Sequence, residues 1–487
     1  GICAWLLLQG TVEQQVRKRG LWIVLFSTIW LAISLSSSSM IVPRTRLPGD
    51  FLAGNQNILS LEEGVGSYMA VLQNGSALDL EVNRMWQGTN KKNHQTTAAH
   101  VPMLFHKDPR QVLVVGLGTG QTARSFLAHN VEQLDCVEIE QRLLPILVQH
   151  YEAAEWMDVP NVRLVFDDGR NYITHASKKY DVISLEVGQV FRPGVAAFYT
   201  REFYQRTLQR LNPDGVVCQF VPMNFLGVSE FKSVVRTFTE VFPQSILWYN
   251  TSELLLIGTN GEKIQIATDR LEALQSEAIQ NELDFAYWGG GRQYLQKQHV
   301  FLGGFLSGPQ SLQNLTSGAE IYIDDRPLLE YIQVQDLEYH RPLLELIENN
   351  LDSVSTIVEQ KLSPAVIASS HRVREDNLTS ILVDQYLERG NQLFDSGDVR
   401  GGIAVLSYAA SLLPKHARAN SQLADRFAQL EQLEKAVGFY VKAVNVDNDM
   451  VSAHRSLGFL FLRTNRVANS IIHFEEALRI EPQDASA

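Results

Sequence analysis

A run of apolar residues, Val112-Leu113-Val114-Val115, ends in Gly116-Leu117-Gly118-Thr119-Gly120, and a helical pattern from Thr122 to His129 opens directly after it. Few folds use three glycines at that spacing between a strand and a helix. A Cβ there would obstruct both a positive φ and the close approach of backbone to a ligand. The helix behind the turn adds N–H groups without intrahelical partners and the positive end of its dipole. A second strand, Gln133 to Glu138, ends in an acid about 20 residues on, where a nucleotide-binding sheet holds the carboxylate that takes two ribose hydroxyls. A third, Val162 to Val165, leads into Asp167-Asp168-Gly169-Arg170, and a fourth, Asp181 to Leu185, ends at Glu186. Polar groups at the carboxyl ends of four strands describe a ligand crevice along one sheet edge.

The later pattern continues the alternation. A helix is predicted from Thr200 to Leu211, a turn at Asn212-Pro213-Asp214-Gly215, a strand from Val216 to Phe220, and a helix from Ser229 to Val241. Paired strands at Ile246–Tyr249 and Glu253–Ile257 close it. Upstream, short alternating runs at Tyr68–Leu72 and Ala77–Val82 flank Asn74-Gly75, a hairpin signal. The fold class expected is α/β, a methyltransferase-type (Rossmann-like) doubly wound sheet preceded by a small antiparallel β unit.

Two further regions flank this sheet. Leu21 to Val42 runs for 22 residues without a charge, after Arg17-Lys18-Arg19, a length that fits one bilayer crossing. The expectation is a transmembrane helix, the end of a polytopic region, and an integral location in a bacterial inner membrane. In the tail, Gly390, Ala424 and Gly458 are spaced by 34, as are Ala409, Ala443 and Ala477, and Leu406, Tyr440 and Phe474. Small residues where helices cross and bulky ones beside them match tetratricopeptide helix pairs, which offer a groove to a protein or peptide partner. The expected division is 1–42 membrane segment, 43–99 connector and small β domain, 100–260 nucleotide-binding domain, 261–375 mixed helical extension and 376–487 three repeats. A net charge of −12 excludes a nucleic-acid partner. Cys3, Cys136 and Cys218 are too scattered for a disulfide framework or a metal site.

Residues 60 to 258 resemble the spermidine synthase (aminopropyltransferase) family, and the whole chain resembles bacterial fusions of a membrane transporter-like region with a spermidine synthase-like domain. The resemblance rests on Gln87-Gly88-Thr89, His100-Val101-Pro102, the glycine turn, Val137-Glu138-Ile139-Glu140, Asp167-Asp168-Gly169, and Pro193-Gly194 followed by Phe198-Tyr199-Thr200-Arg201-Glu202-Phe203-Tyr204. It implies decarboxylated S-adenosylmethionine, or S-adenosylmethionine, as co-substrate, with no prosthetic group and no metal. Gly116, Gly118 and Gly120 would face the nucleotide, Glu138 would take the ribose, Asp168 and Gly169 the adenine, and Gln87 and Pro193 further contacts. Glu186 matches the acid that anchors and deprotonates the acceptor amine. Gln189, Thr119 and His94 match the remaining acceptor side. Ile321 to Tyr331, with Asp324-Asp325-Arg326-Pro327, resembles a stretch recurrent in the fused proteins, and by itself reads as a helix-capping turn.

The acceptor side departs from the family pattern. Gln189 and Thr119 stand where the family has aspartates, the acidic pair after Gln87-Gly88-Thr89 is replaced by Asn90-Lys91-Lys92-Asn93, and a Tyr-His-Glu tract is reduced to His94-Gln95. Burying a dication without carboxylate partners is costly, so putrescine is expected to be a poor acceptor. The leading reading is a membrane-anchored enzyme transferring an aminopropyl group to an amine, in polyamine biosynthesis, with a homodimer among the expected assemblies. The alternatives are an S-adenosylmethionine-dependent methyltransferase and a non-catalytic nucleotide-sensing scaffold coupling the membrane region to a partner of the repeats.

Overall fold

The structure, a computed structural model, describes residues 57–482 apart from 65, 75, 191, 193, 251–252, 327 and 332–339. One compact unit ends at Gln87 and a second begins at Gly88. In the first, β1 (Asn57–Glu63), β2 (Tyr68–Asn74), β3 (Ala77–Val82) and β4 (Met85–Thr89) form a sheet in that order. The strands β2 and β3 pair antiparallel from Met69↔Val82 to Asn74↔Ala77, the hairpin expected around Asn74-Gly75.

The second unit starts with α1 (His94–Met103), then alternates β5 (Gln111–Val115), α2 (Gln121–Phe126), β6 (Gln133–Glu138), α3 (Leu143–His150), α4 (Ala153–Met157), β7 (Val162–Phe166), α5 (Gly169–His175), β8 (Tyr180–Leu185), α6 (Arg201–Gln209) and β9 (Leu211–Val221). After α7 (Val228–Val241) come β10 (Gln244–Asn250) and β11 (Glu253–Thr259). The sheet order is β12-β10-β11-β9-β8-β5-β6-β7, with β12 (Phe305–Ser307) added from later in the chain. Neighbours from β9 to β7 are parallel, and β11 and β10 run antiparallel. The chain winds outward from β5 to β7, then returns to β8 on the other side of β5. Such a switch point opens a crevice at the carboxyl ends of the two central strands. Covered on both faces, these strands are continuously apolar: all six residues of β8 are buried.

The Asn212–Gly215 turn lies inside β9 rather than before it. Tyr180 pairs with Leu211 and Val182 with Val216, so the four turn residues loop out of the ladder. Asp214 has a φ of 58°, and a Cβ on Gly215 would stand 2.8 Å from the Asn212 carbonyl oxygen. Turn chemistry therefore made a bulge while the strand continued past it.

At the opposite sheet edge Asp135 is fully buried. It accepts from Arg163 Nη2 at 2.7 Å, Tyr180 Oη at 2.7 Å and Lys178 Nζ at 3.0 Å. Burial alone would raise its carboxyl, but these bonds outweigh it and hold the group below its ordinary value. Asp135→Asn should cost about 2–4 kcal/mol in denaturant unfolding, since it strands two half-exposed cations beside a buried amide. Because the folded-state value is lowered, that stability is present above the ordinary carboxylate range and is lost as pH falls through the folded one. The gap between wild type and variant should therefore narrow in acid; a variant as stable as wild type at pH 7 would show the cluster to be neutral.

From residue 261 the chain adds α8 (Thr268–Ala273), α9 (Glu277–Glu282), α10 (Gln298–Leu302), α11 (Pro309–Leu315) and α12 (His340–Glu348). Six longer helices follow: α13 (Pro364–Asp395), α14 (Val399–Leu412), α15 (Ala417–Gln429), α16 (Leu433–Val446), α17 (Val451–Arg463) and α18 (Val467–Ile480). They pack as consecutive pairs, and the columns spaced by 34 lie where the helices of each pair meet. A Cβ on Gly390 would stand 2.7 Å from Leu406, and one on Gly458 2.6 Å from Phe474.

One expectation is corrected. The predicted span at 21–42 lies outside the described residues, and no helix among the described residues is long and apolar enough to cross a membrane. The longest, α13, carries Arg372, Arg374, Glu375 and Asp376 within it, charges that a bilayer core would not accept. The fold class is therefore the α/β sheet with its β unit and C-terminal helices. The transmembrane helix and the integral membrane location are withdrawn.

Candidate functional site

The glycine turn joins β5 to α2 at the switch point. Gly116, Gly118 and Gly120 have φ of 89°, 52° and 78°, the left-handed region open to glycine. A Cβ on Gly120 would also stand 2.6 Å from Trp156 of α4, so that residue is held by packing as well as by dihedral. Gly169 is required by packing alone, since its Cβ would fall 2.3 Å from Val115.

Glu138 ends the neighbouring strand and turns its carboxylate to this loop. Oε2 accepts the Leu117 N–H at 2.8 Å and Oε1 the Glu140 N–H at 2.9 Å. Burial pushes its carboxyl up, and the backbone bonds counter this only in part. Each oxygen keeps a second lone pair for a ligand hydroxyl. Beside it Ile139 is 70% exposed, an apolar surface at the rim. Asp168 follows β7 and caps α5, its Oδ1 accepting the Asn171 N–H at 2.9 Å.

Glu186, directly after β8, is the most perturbed acid of the group. It accepts from Thr122 Oγ1 at 3.1 Å and from the Ser184 hydroxyl, and its backbone oxygen lies 3.4 Å from where a Cβ of Gly116 would be. Desolvation raises its carboxyl to about 7, against the two hydroxyl bonds that pull it down. A carboxyl poised near neutrality beside a glycine turn can exchange a proton with a bound ligand. Ser184 and Thr122 were not singled out in the sequence, because a hydroxyl within a strand or helix reads as core.

The acceptor-side residues divide. Thr119 is buried and its hydroxyl lies 3.3 Å from Gln95 Oε1, and both crowd Gly88. His94 opens α1, with burial lowering its imidazole to about 4, so it is neutral at pH 7. Its ring lies 6.4 Å from that of Phe220 at the end of β9. Gln189 lies in the loop after Glu186, where its carbonyl accepts the Arg192 N–H at 2.9 Å. Gln87 ends the first unit, its amide donating to the carbonyls of Met85 and Trp86. Pro193 lies outside the described residues. Lys92, in the basic tract, is 3.5 Å from Glu282 of α9, so the extension offsets its charge.

The extension also reaches the loop after Glu186. Glu330 Oε1 accepts the Gly194 N–H at 2.7 Å. Asp324 Oδ2 accepts from Arg170 of α5 at 2.8 Å, and its Oδ1 from the hydroxyl of Thr200, the N-cap of α6. The Asp324-Asp325-Arg326 stretch thus ties two helix N-termini behind the sheet edge. Tyr199 and Tyr204 are fully buried; the Tyr199 hydroxyl lies 2.6 Å from the Val187 carbonyl and 2.8 Å from that of Phe220.

Residues 91–255 match the family model of the spermine/spermidine synthase domain. The chain is 34% identical over 149 residues to polyamine aminopropyltransferase 2 of Hyperthermus butylicus, covering 29% of this chain and 48% of that one. It is 37% identical over 129 residues to polyamine aminopropyltransferase of Erwinia tasmaniensis, covering 26% and 44%. It thus spans about half the length of the curated relatives it matches. Among solved structures it is similar to spermidine synthase from Thermotoga maritima (24% identity, TM-score 0.38, 42% of this chain and 73% of that one). It is similar also to a spermidine synthase in complex with the transition-state analogue AdoDATO (23%, TM-score 0.37, 42% and 72%).

Proposed function

We propose that the chain is an aminopropyltransferase of the spermidine synthase type, using decarboxylated S-adenosylmethionine as co-substrate and an amine as acceptor. The observation that carries this reading is Glu186: a buried carboxyl raised to about 7 beside the glycine turn, within a segment that matches the synthase domain. The reaction forms a bond from the amine nitrogen to the propyl carbon while that carbon leaves the sulfonium sulfur. The electron pair stays on sulfur as methylthioadenosine, and the proton lost by nitrogen passes to Glu186. The leaving group is already activated, so the protein's contribution is alignment and proton removal.

The nucleotide side of this reading assigns the ribose to Glu138, the adenine to Asp168 and the face of Ile139, and the chain between sugar and sulfur to Gly116, Gly118 and Gly120. Gly169 brings the adenine contact close to β5, and Gln87 and Pro193 contribute further contacts. Thr119, Gln189 and His94 border the acceptor. The same crevice would suit a methyltransferase, but the relatives at 34–37% identity are aminopropyltransferases. The division into a sheet domain at 100–260, an extension at 261–375 and tetratricopeptide-type repeats at 376–487 belongs to the same reading. The repeats would offer a surface to a protein or peptide partner. Calorimetric titration with methylthioadenosine and S-adenosylhomocysteine tests the assignment. Tighter binding of methylthioadenosine is expected; binding of S-adenosylhomocysteine alone would support methyl transfer instead, and binding of neither would support a non-catalytic scaffold.

A further inference from the structure

Glu253 has no role in the account so far. It opens β11, and its Oε2 is buried with no hydrogen-bond partner among the described residues. A buried carboxylate oxygen without a partner is costly, and natural folds keep such groups where a ligand completes them. No fold requirement is evident at this position, since the adjoining residues Leu254 to Ile257 build the sheet by apolar burial alone.

Topology puts Glu253 on the edge of the sheet that carries Glu186. Leu254 pairs with Val221, the last residue of β9, and β9 in turn pairs with β8, which Glu186 follows. The two acids therefore stand two strand spacings apart, roughly 10 Å. Between them lies Tyr199, whose hydroxyl touches the carbonyls of Val187 and Phe220. The charge of Glu253 acts on that same tyrosine. His94, neutral through burial, borders the region through its ring near Phe220 and its carbonyl, which accepts from Asn250 at 2.8 Å.

We propose that Glu253 binds the distal ammonium group of the acceptor, so that the acceptor is a diamine or longer polyamine rather than a monoamine. The proposal rests on the aminopropyltransferase reading and extends it to substrate class. A four-carbon diamine with a charge-assisted hydrogen bond of about 2.8 Å at each end spans such a gap, one nitrogen at Glu186 and the other at Glu253. Glu253 thereby supplies the negative charge missing at Thr119 and Gln189, and reverses the expectation that putrescine is a poor acceptor.

The test is calorimetric titration of putrescine and of butylamine into the full chain saturated with methylthioadenosine, for wild type, Glu253→Gln and Glu253→Ala, with thermal unfolding as a check on folding. Wild type should bind putrescine at least about tenfold more tightly than butylamine, and Glu253→Gln should bring the two amines within about twofold, mainly by weakening putrescine. A preference that survives in a folded Glu253 variant would overturn the proposal, as would equal binding of both amines, or of neither, by wild type. Failure of methylthioadenosine to bind in the first step would instead remove the underlying reading, so the two failures are distinct.

Discussion

Glu186→Gln should lower aminopropyl transfer by about a hundred- to ten-thousand-fold while leaving the affinity for methylthioadenosine close to wild type. The substitution keeps the shape and removes the proton acceptor. In the wild type the rate should fall about tenfold per pH unit below 7, because the carboxyl raised to about 7 must be ionised to accept a proton. Stability should show the opposite trend. A glutamate whose folded-state value is raised binds its proton more readily when folded, so it costs stability as pH rises from the ordinary carboxylate range to about 7. At pH 8 the glutamine variant should therefore be at least as stable as wild type, with Ser184 and Thr122 turning to accept from its amide. Wild-type turnover in this variant would make Glu186 structural.

Glu138→Ala should weaken methylthioadenosine binding by roughly 2–4 kcal/mol, since two hydroxyl bonds to a charged group are lost. Part of that loss is indirect. The same carboxylate holds the Leu117 N–H inside the glycine turn, so its removal also loosens the loop that faces the nucleotide. Glu138→Gln separates the two effects. Its carbonyl can keep one backbone bond, so it should lose less affinity than alanine. Titration by calorimetry at fixed salt measures both, and unchanged affinity in the alanine variant would remove Glu138 from the site.

What the sequence made legible was local. The glycine turn, the acids after β6, β7 and β8, and the hairpin at Asn74 follow from residue type and spacing over short stretches, where backbone preference and apolar periodicity dominate. The 34-residue columns likewise reappear as helix contacts at Gly390 and Gly458. Asn212–Gly215 misled, because a turn signal cannot tell a strand's start from a bulge within it. An uncharged run at 21–42 prompted a membrane assignment that the described helices do not carry.

Groups that meet only in three dimensions were not legible. Ser184 and Thr122 around Glu186 come from a strand and a helix 62 positions apart in the chain. Glu253 lay in a strand that read as ordinary sheet closure, and nothing in its neighbours marks a buried carboxylate. Glu330 and Asp324 lie in the stretch that was hardest to read, yet they reach Gly194 and the N-caps behind the sheet edge. Acidic residues missing from a local motif can thus be offset by acids from distant strands.

The most direct measurement is product analysis by mass spectrometry after incubating the full chain with decarboxylated S-adenosylmethionine and putrescine. The account predicts methylthioadenosine and an aminopropylated amine in equal amounts, with both lost in Glu186→Gln. Absence of both products from a folded wild-type protein, or methyl transfer from S-adenosylmethionine in their place, would contradict it.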